Sequence, residues 1–144
     1  MSDPTETLRV RRVIPATKER VFRAWTDPSQ LKAWWRIGEG WSTTSAEVDP
    51  RVGGRIALGN QPVGGGNMVI TGEFLRVEPP DVLVFTWRFP GAVPEESVVT
   101  VEFRQLGEET EVVITHEGSP RAMAPGAVAG WNATLQSLAG FLTR

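Results

Sequence analysis

The sequence predicts an α+β fold in which an antiparallel sheet packs against one long C-terminal helix, with two short helices after the first strand. Apolar residues alternate with polar ones through much of residues 45–117, which is typical of strands with one buried face. Short turns rich in glycine and proline separate these stretches, so neighbouring strands are expected to run antiparallel. After residue 120 the apolar residues recur every three or four positions, which indicates an amphipathic helix.

The first strand is predicted over residues 8–14, after a polar, acidic tail of residues 1–7 that is expected to be disordered. Thr17 is placed to cap a first helix, because a threonine hydroxyl can accept a hydrogen bond from the first helical turn. In Asp27-Pro28-Ser29-Gln30, the aspartate suits the N-cap and the proline suits the first helical position. Two short helices are therefore expected, one starting after Thr17 and one after Asp27.

Six further strands are predicted before the C-terminal helix. They cover residues 45–49, 55–58, 68–77, 82–89, 96–106 and 109–117. Within 82–89, Leu83, Phe85 and Trp87 share one face, as expected for a strand with one side in the core. The stretch 59–67 contains three consecutive glycines and is predicted to be a flexible loop that admits a ligand.

The C-terminal helix is predicted over residues 126–143. Its apolar stripe has helical spacing and consists of Ala127, Trp131, Leu135, Leu138 and Leu142. Gly126, Gly130 and Gly140 each cost the helix up to about 1 kcal/mol of propensity relative to alanine. These glycines therefore indicate either close packing on the sheet or room for a ligand.

Composition excludes several classes of function. The net charge of −2 and the scattered arginines give no basic patch, so nucleic-acid binding is not expected. The absence of cysteine removes disulfides and thiolate chemistry. The polar, acidic first residues do not have the pattern of a signal peptide and no run of about 18 apolar residues occurs, so neither secretion nor membrane insertion is expected. A cytoplasmic protein with a single domain over residues 8–144 is the resulting expectation.

Several motifs occur in an order shared with a known family. They are Val21-Phe22-Arg23-Ala24-Trp25-Thr26-Asp27-Pro28, Trp34-Trp35, Asp49-Pro50-Arg51-Val52-Gly53-Gly54-Arg55, Gly72-Glu73, Pro79-Pro80, Thr86-Trp87, Thr115-His116 and Gly130-Trp131. Through them, residues 8–143 resemble the homologues of the C-terminal domain of the activator of heat-shock-protein-90 ATPase, within the START-like SRPBCC superfamily. The resemblance implies a helix-grip fold, in which a curved seven-stranded sheet wraps around the last helix and leaves a cavity between them. It also implies that some relatives are dimers, so a homodimer is possible here.

The predicted function is the binding of a small, largely apolar molecule in this cavity, with no cofactor and no metal. The predicted ligand-binding residues are Phe74, Leu83, Phe85, Trp87, Arg88, His116, Trp131 and Leu135. The apolar members are expected to form the walls, and Arg88 and His116 are expected to orient the ligand. Core packing is the alternative for the apolar members, because sequence alone does not distinguish a core residue from a cavity wall.

His116 is the only histidine in the chain. It follows Val112 and Ile114 at period two, so it faces inward if they do. An inward imidazole could orient a ligand, act as a general base near neutral pH, or serve as a hydrogen-bonded structural residue. A lone histidine without cysteine gives no ligand set for zinc.

Two other functions remain open. One is an enzyme of the aromatase/cyclase or hydrolase type found in the same superfamily, with His116 as the base. Its weakness is the lack of a matched second acid or base, since the chain has no tyrosine. The other is a protein-interaction module, whose mark would be an exposed apolar patch around Trp35 and Trp41. Separately, Asp49, Arg51 and Arg55 could bind an anionic group or stabilise their own turn.

Overall fold

The computed structural model describes residues 5–92 and 95–143 of the chain. The elements follow in the predicted order, and their bounds are β1 Thr5–Ile14, α1 Lys18–Thr26, α2 Pro28–Trp34, β2 Trp41–Val48, β3 Arg55–Pro62, β4 Met68–Glu78, β5 Val82–Arg88, β6 Glu96–Leu106, β7 Glu109–Pro120 and α3 Ala124–Leu142. The seven strands form one curved antiparallel sheet in the order β1-β7-β6-β5-β4-β3-β2. The predicted helix-grip fold is confirmed.

Several strand boundaries differ from the prediction; β7, for example, extends to Pro120 instead of residue 117. β1 begins at Thr5, so residues 5–7 are paired with β7 rather than part of a disordered tail, and residues 1–4 lie outside the described residues. β2 begins at Trp41 instead of residue 45, because Trp41 pairs with Pro62. The same pairing extends β3 to Pro62, so residues 59–62 belong to a strand and not to the predicted loop.

The starts of the two short helices are capped as predicted. Thr17 Oγ1 accepts a hydrogen bond from the backbone nitrogen of Arg20 at 3.3 Å. Asp27 Oδ1 accepts one from the backbone nitrogen of Ser29 at 2.9 Å. A hydrogen bond from the hydroxyl of Ser29 is the main reason why the pKa of the Asp27 carboxyl is lowered. Each cap satisfies a backbone donor that the first helical turn leaves unpaired.

The core lies between the concave face of the sheet and α3. The buried face of α3 presents Trp131, Leu135, Leu138 and Leu142, whereas Ala127, also predicted to face inward, is half-buried. These side chains belong to one apolar cluster with inward residues of the strands, such as Phe85 in β5 and Ile114 in β7. Full burial of each large apolar side chain stabilises the fold by roughly 1.5–3 kcal/mol.

The two short helices add aromatic residues to this cluster. The Trp25 ring packs edge-to-face with Trp34 and with Phe103, with ring centroids 4.9 Å and 6.4 Å apart. Trp34 Nε1 donates a hydrogen bond to the backbone oxygen of Ala24 at 2.8 Å, which links α2 to α1.

Within residues 5–92 and 95–143, no helix has the length and apolar character needed to cross a bilayer.

Candidate functional site

A cavity of about 290 Å³ lies between the N-terminal half of α3 and the ends of β5, β6 and β7. Its aromatic wall consists of Trp35, Trp41, Trp87, Phe89 and Trp131. On the side of α3 it is bordered by Gly126, Ala127 and Gly130. Glu95 and Met123, which also border it, are exposed, so the mouth opens between the β5–β6 connection and the start of α3.

Three indole rings form a continuous surface along the aromatic wall. The ring centroids of Trp87 and Trp131 are 5.0 Å apart. Trp35 lies 5.7 Å from Trp87 and 5.9 Å from Trp131, again between ring centroids. Such tilted and edge-to-face contacts add to the stability gained from burial alone. The wall therefore joins the end of α2, strand β5 and helix α3 into one apolar surface.

Glycines reduce the bulk of α3 where it faces this wall. A Cβ atom at Gly126 would meet nothing within 4 Å, so open space lies beside it. A Cβ atom at Gly130 would lie 3.2 Å from the backbone oxygen of Ile37, which is a tight contact. Gly126 and Gly140 are both exposed, so the open space beside Gly126 lies at the solvent-facing border of the cavity, whereas Gly130 allows close packing against Ile37. Close packing, one of the two interpretations of these glycines, therefore applies to Gly130.

His116 is held in a chain of buried hydrogen bonds beside the cavity. Trp131 Nε1 donates to His116 Nδ1 at 3.1 Å. Because an indole nitrogen can only donate, Nδ1 is the accepting nitrogen and Nε2 carries the proton. Nε2 lies 2.6 Å from Ser97 Oγ, and that hydroxyl donates in turn to the backbone oxygen of Trp87 at 3.3 Å. Both ring nitrogens are therefore occupied by protein partners.

Burial lowers the pKa of His116 from 6.5 to about 4, because it removes water from around the charged imidazolium. The ring is consequently uncharged near neutral pH. A general base is most effective when its pKa lies near the working pH and when its lone pair reaches the substrate. His116 meets neither condition, since its free lone pair already accepts the hydrogen bond of Trp131. This geometry favours the structural interpretation of His116 over the catalytic one.

The lowered pKa of His116 predicts how the free energy of unfolding depends on pH. The unfolded chain, in which the pKa is near 6.5, binds a proton more readily than the folded protein at any pH between 6.5 and about 4. The free energy of unfolding should therefore fall as the pH falls through this window, with this histidine contributing a loss of about 2 kcal/mol between pH 7 and pH 5. Urea denaturation of the wild type and of His116→Gln at both pH values measures this contribution. An equal loss in both proteins would contradict the lowered pKa.

Of the eight predicted ligand-binding residues, three border the cavity. They are Trp87, His116 and Trp131. Phe74, Leu83, Phe85 and Leu135 are buried in the apolar cluster and do not border the cavity, which corresponds to the core-packing alternative. Strand alternation correctly placed these side chains on the inner face, but they lie deeper between sheet and helix than the cavity does.

Arg88, which was predicted to orient the ligand, does not border the cavity. It follows Trp87 in β5, and consecutive side chains of a strand point to opposite faces. Its guanidinium lies on the outer face of the sheet, where Nη2 is 3.0 Å from Glu96 Oε2 and Nη1 is 3.4 Å from Glu95 Oε1. Arg88 therefore belongs to an exposed group of charges.

Other predicted features lie away from the cavity. Arg51 Nε donates to Asp49 Oδ2 at 2.7 Å within their turn, which fits the structural interpretation of this cluster. No residue of the glycine-rich stretch 59–67 borders the cavity. Trp35 is 1% exposed, so the exposed patch expected of an interaction module is not formed by it. Nowhere in the ranges 5–92 and 95–143 do three or more histidine, cysteine, aspartate or glutamate side chains gather as metal ligands would.

Sequence reasoning missed three hydroxyl side chains that border the cavity, namely Ser97, Ser119 and Thr134. Thr134 Oγ1 donates to the backbone oxygen of Arg36 at 2.6 Å. Ser119 turns inward because of a β-bulge: the step from Glu6 to Leu8 in β1 matches the longer step from Ser119 to His116 in β7. Gly118, with φ of +77°, lies within this bulge and was the one local signal of it.

Comparison with known proteins places the chain among relatives of the same fold. The model of a family described as activator of Hsp90 ATPase homolog 1-like protein matches residues 15–143. Protein CV1439 from Chromobacterium violaceum is 30% identical, with a TM-score of 0.87 and coverage of 96% of this chain and 98% of that one. Protein MLL2253 from Mesorhizobium loti is 27% identical, with a TM-score of 0.78 and coverage of 96% and 97%.

A third solved structure, of a protein from Rhodobacter sphaeroides, is 26% identical, with a TM-score of 0.81 and coverage of 96% of this chain and 93% of that one. A comparison with curated proteins finds no match. The family match extends over most of the chain and agrees with the resemblance carried by the sequence motifs. The chain therefore belongs to the activator of Hsp90 ATPase homolog 1-like family.

Proposed function

We propose that this protein is a cytoplasmic binding protein for a small, largely apolar molecule, which occupies the cavity between the sheet and α3. The observation that carries the proposal is a cavity of about 290 Å³ that opens to solvent and is walled by tryptophan side chains. Ligand sites are usually concave, mostly apolar and furnished with only a few polar groups. The wall of Trp35, Trp87 and Trp131 has this character.

The size of the cavity limits the ligand. Small-molecule sites usually enclose roughly 300–1,000 Å³. At about 290 Å³, this cavity lies just below that range and suits a molecule with roughly one or two rings. The flat indole surfaces favour an aromatic or otherwise planar apolar body, because ring faces gain most contact from a flat partner.

The occupied nitrogens of His116 support binding rather than catalysis. A reaction with His116 as the base would first have to break its hydrogen bond from Trp131 and then proceed with a base whose pKa is about 4. A ligand that is merely bound needs no such rearrangement. The same network holds Trp131 in place, and Trp131 forms part of the cavity wall.

A titration with a planar probe tests the proposal. We expect methyl β-naphthyl ketone to bind the wild type saturably, and to give nuclear Overhauser contacts with the methyl groups of Ala127 and Met123, which border the cavity. The methyl groups of Leu75, an exposed apolar residue that does not border the cavity, serve as the control and should show none. Saturable binding with contacts to Leu75 only, or no binding up to the solubility of the probe, would overturn the proposal.

A further inference from the structure

We propose that the ligand of this cavity carries an uncharged carbonyl oxygen, which accepts hydrogen bonds from the indole N–H of Trp87 and the hydroxyl of Ser119. This inference rests on the proposed function and concerns the chemistry of the ligand within the same cavity. It follows from the polar atoms of the cavity wall, which divide into groups that already have protein partners and groups that do not.

The indole nitrogen of Trp87 is the first group without a partner. Trp87 is 5% exposed and borders the cavity. Its Nε1 makes no hydrogen bond with any described residue. Among the described residues, the one side-chain nitrogen or oxygen that is both fully enclosed and without a partner is Trp25 Nε1, so Trp87 Nε1 is not fully enclosed. Trp87 Nε1 therefore keeps access to open space. Since the ring is otherwise enclosed, we infer that this space is the cavity.

The hydroxyl of Ser119 is the second such group. Ser119 is 2% exposed and borders the same cavity, because the bulge at Gly118 turns its side chain inward. Within the described part of the chain its Oγ has no hydrogen-bond partner, and it is not enclosed by protein atoms. A nearly buried hydroxyl that points into a cavity is available to whatever occupies that cavity.

The remaining buried polar side chains of the wall are already paired, and the half-buried Trp41 adds one more indole N–H without a partner among the described residues. His116 accepts from Trp131 and lies 2.6 Å from Ser97 Oγ, and the hydroxyl of Thr134 donates to the backbone oxygen of Arg36. An indole N–H can only donate, and a serine hydroxyl can donate as well. A ligand that covers the Trp87 N–H and the Ser119 hydroxyl should therefore carry a hydrogen-bond acceptor, because covering a donor without giving it an acceptor costs free energy.

The mouth of the cavity favours an uncharged acceptor over a carboxylate. Glu95 borders the cavity, and its side chain is 46% exposed. The arginine that faces it, Arg88, lies on the outer face of the sheet and contacts Glu95 Oε1 at 3.4 Å, without entering the cavity. A ligand anion would therefore find no cation among the described residues that border the cavity, and burying its charge there would cost free energy.

Two probes of nearly the same shape test the inference. Methyl β-naphthyl ketone and β-isopropenylnaphthalene differ in having a carbonyl oxygen or a methylene group at one position. Calorimetry gives the ratio of their dissociation constants in the wild type, in Trp87→Phe and in Ser119→Ala. In each variant the preference for the ketone should fall by about 2- to 12-fold, the equivalent of one hydrogen bond. Comparing ratios cancels the different hydrophobicity of the probes.

One control variant and one spectroscopic measurement accompany the comparison. Trp25→Phe removes an indole N–H that is buried without a partner and does not border the cavity, so its ratio should equal that of the wild type. In a proton–nitrogen correlation spectrum, the Trp87 indole signal, assigned from its loss in Trp87→Phe, should move downfield with the ketone and not with the hydrocarbon. Ser119→Ala removes only a hydroxyl, so it remains informative if Trp87→Phe folds poorly.

The outcomes separate this inference from the function on which it rests. If both probes bind and the ratio falls in both Trp87→Phe and Ser119→Ala but not in Trp25→Phe, the inference is supported. A fall in only one of two folded variants would overturn the assignment of the other donor. If both probes bind in the cavity and all ratios equal that of the wild type, the carbonyl inference is wrong while the proposed function stands. If neither probe binds, both are overturned.

Discussion

Replacing Trp35 with alanine is expected to lower the free energy of unfolding by about 5 kcal/mol. Trp35 is 1% exposed, and its ring centroid lies 5.7 Å from that of Trp87 and 5.9 Å from that of Trp131. Removing a buried tryptophan ring typically costs about 3–5 kcal/mol through lost contacts and the space left behind. Its Nε1 also donates to Asn60 Oδ1 at 2.9 Å, and Asn60 is 1% exposed. The variant leaves that buried acceptor unpaired, which adds about 1 kcal/mol or more.

A loss of this size approaches the whole stability of many domains, about 5–15 kcal/mol, so a milder variant is needed beside it. Trp35→Phe keeps most of the ring and removes the N–H, and should cost about 1–3 kcal/mol, chiefly from the unpaired Asn60. Trp41→Ala is the matched control, because Trp41 borders the same cavity but is only half-buried. Urea denaturation compares the three. If Trp35→Ala cost no more than Trp41→Ala, Trp35 would not be the centre of the aromatic wall.

The order of the elements was predictable because it depends on local periodicity. Trp131, Leu135 and Leu138 recur at helical spacing, and each is buried on the inner side of α3. Strand ends were less predictable, since a strand extends as far as its neighbour offers hydrogen bonds. Residues 5–7 look like a polar tail in sequence, but the bulged end of β7 continues far enough to pair with Thr5 and Glu6.

The faces of the strands were also predictable, and they could have excluded Arg88. Trp87 and Arg88 are neighbours in β5, so only one of them can face the cavity. Depth along the inner face was not predictable. Phe85 and Trp87 share that face, yet Trp87 borders the cavity and Phe85 is in the core, because only Trp87 is near the open end between sheet and helix.

The polar groups of the site depend on contacts between residues far apart in sequence. Trp131 and Ser97 approach His116 from α3 and β6, so its hydrogen bonds and its lowered pKa follow from the register of β6 with β7 and from the docking of the helix. Ser119 faces inward only because β7 bulges at Gly118. A strict alternation counted from His116 would have placed Ser119 on the outer face.

Filling the cavity is expected to weaken binding of methyl β-naphthyl ketone at least tenfold, which corresponds to about 1.4 kcal/mol. Ala127 borders the cavity from α3 and is half-buried, so a leucine side chain at this position would occupy space that the ligand needs. Leucine is a good helix former, and the change should leave the helix intact. The loss would therefore report the lost volume.

The most direct test of ligand binding in the cavity is a calorimetric titration of Ala127→Leu beside Ala129→Leu, with thermal unfolding to confirm that both variants are folded. Ala129 lies on the same helix, but it is exposed and does not border the cavity. Ala127→Leu should bind the ketone at least tenfold more weakly than the wild type, and Ala129→Leu should bind it equally well. Wild-type affinity in a folded Ala127→Leu variant would contradict binding in the cavity between the sheet and α3.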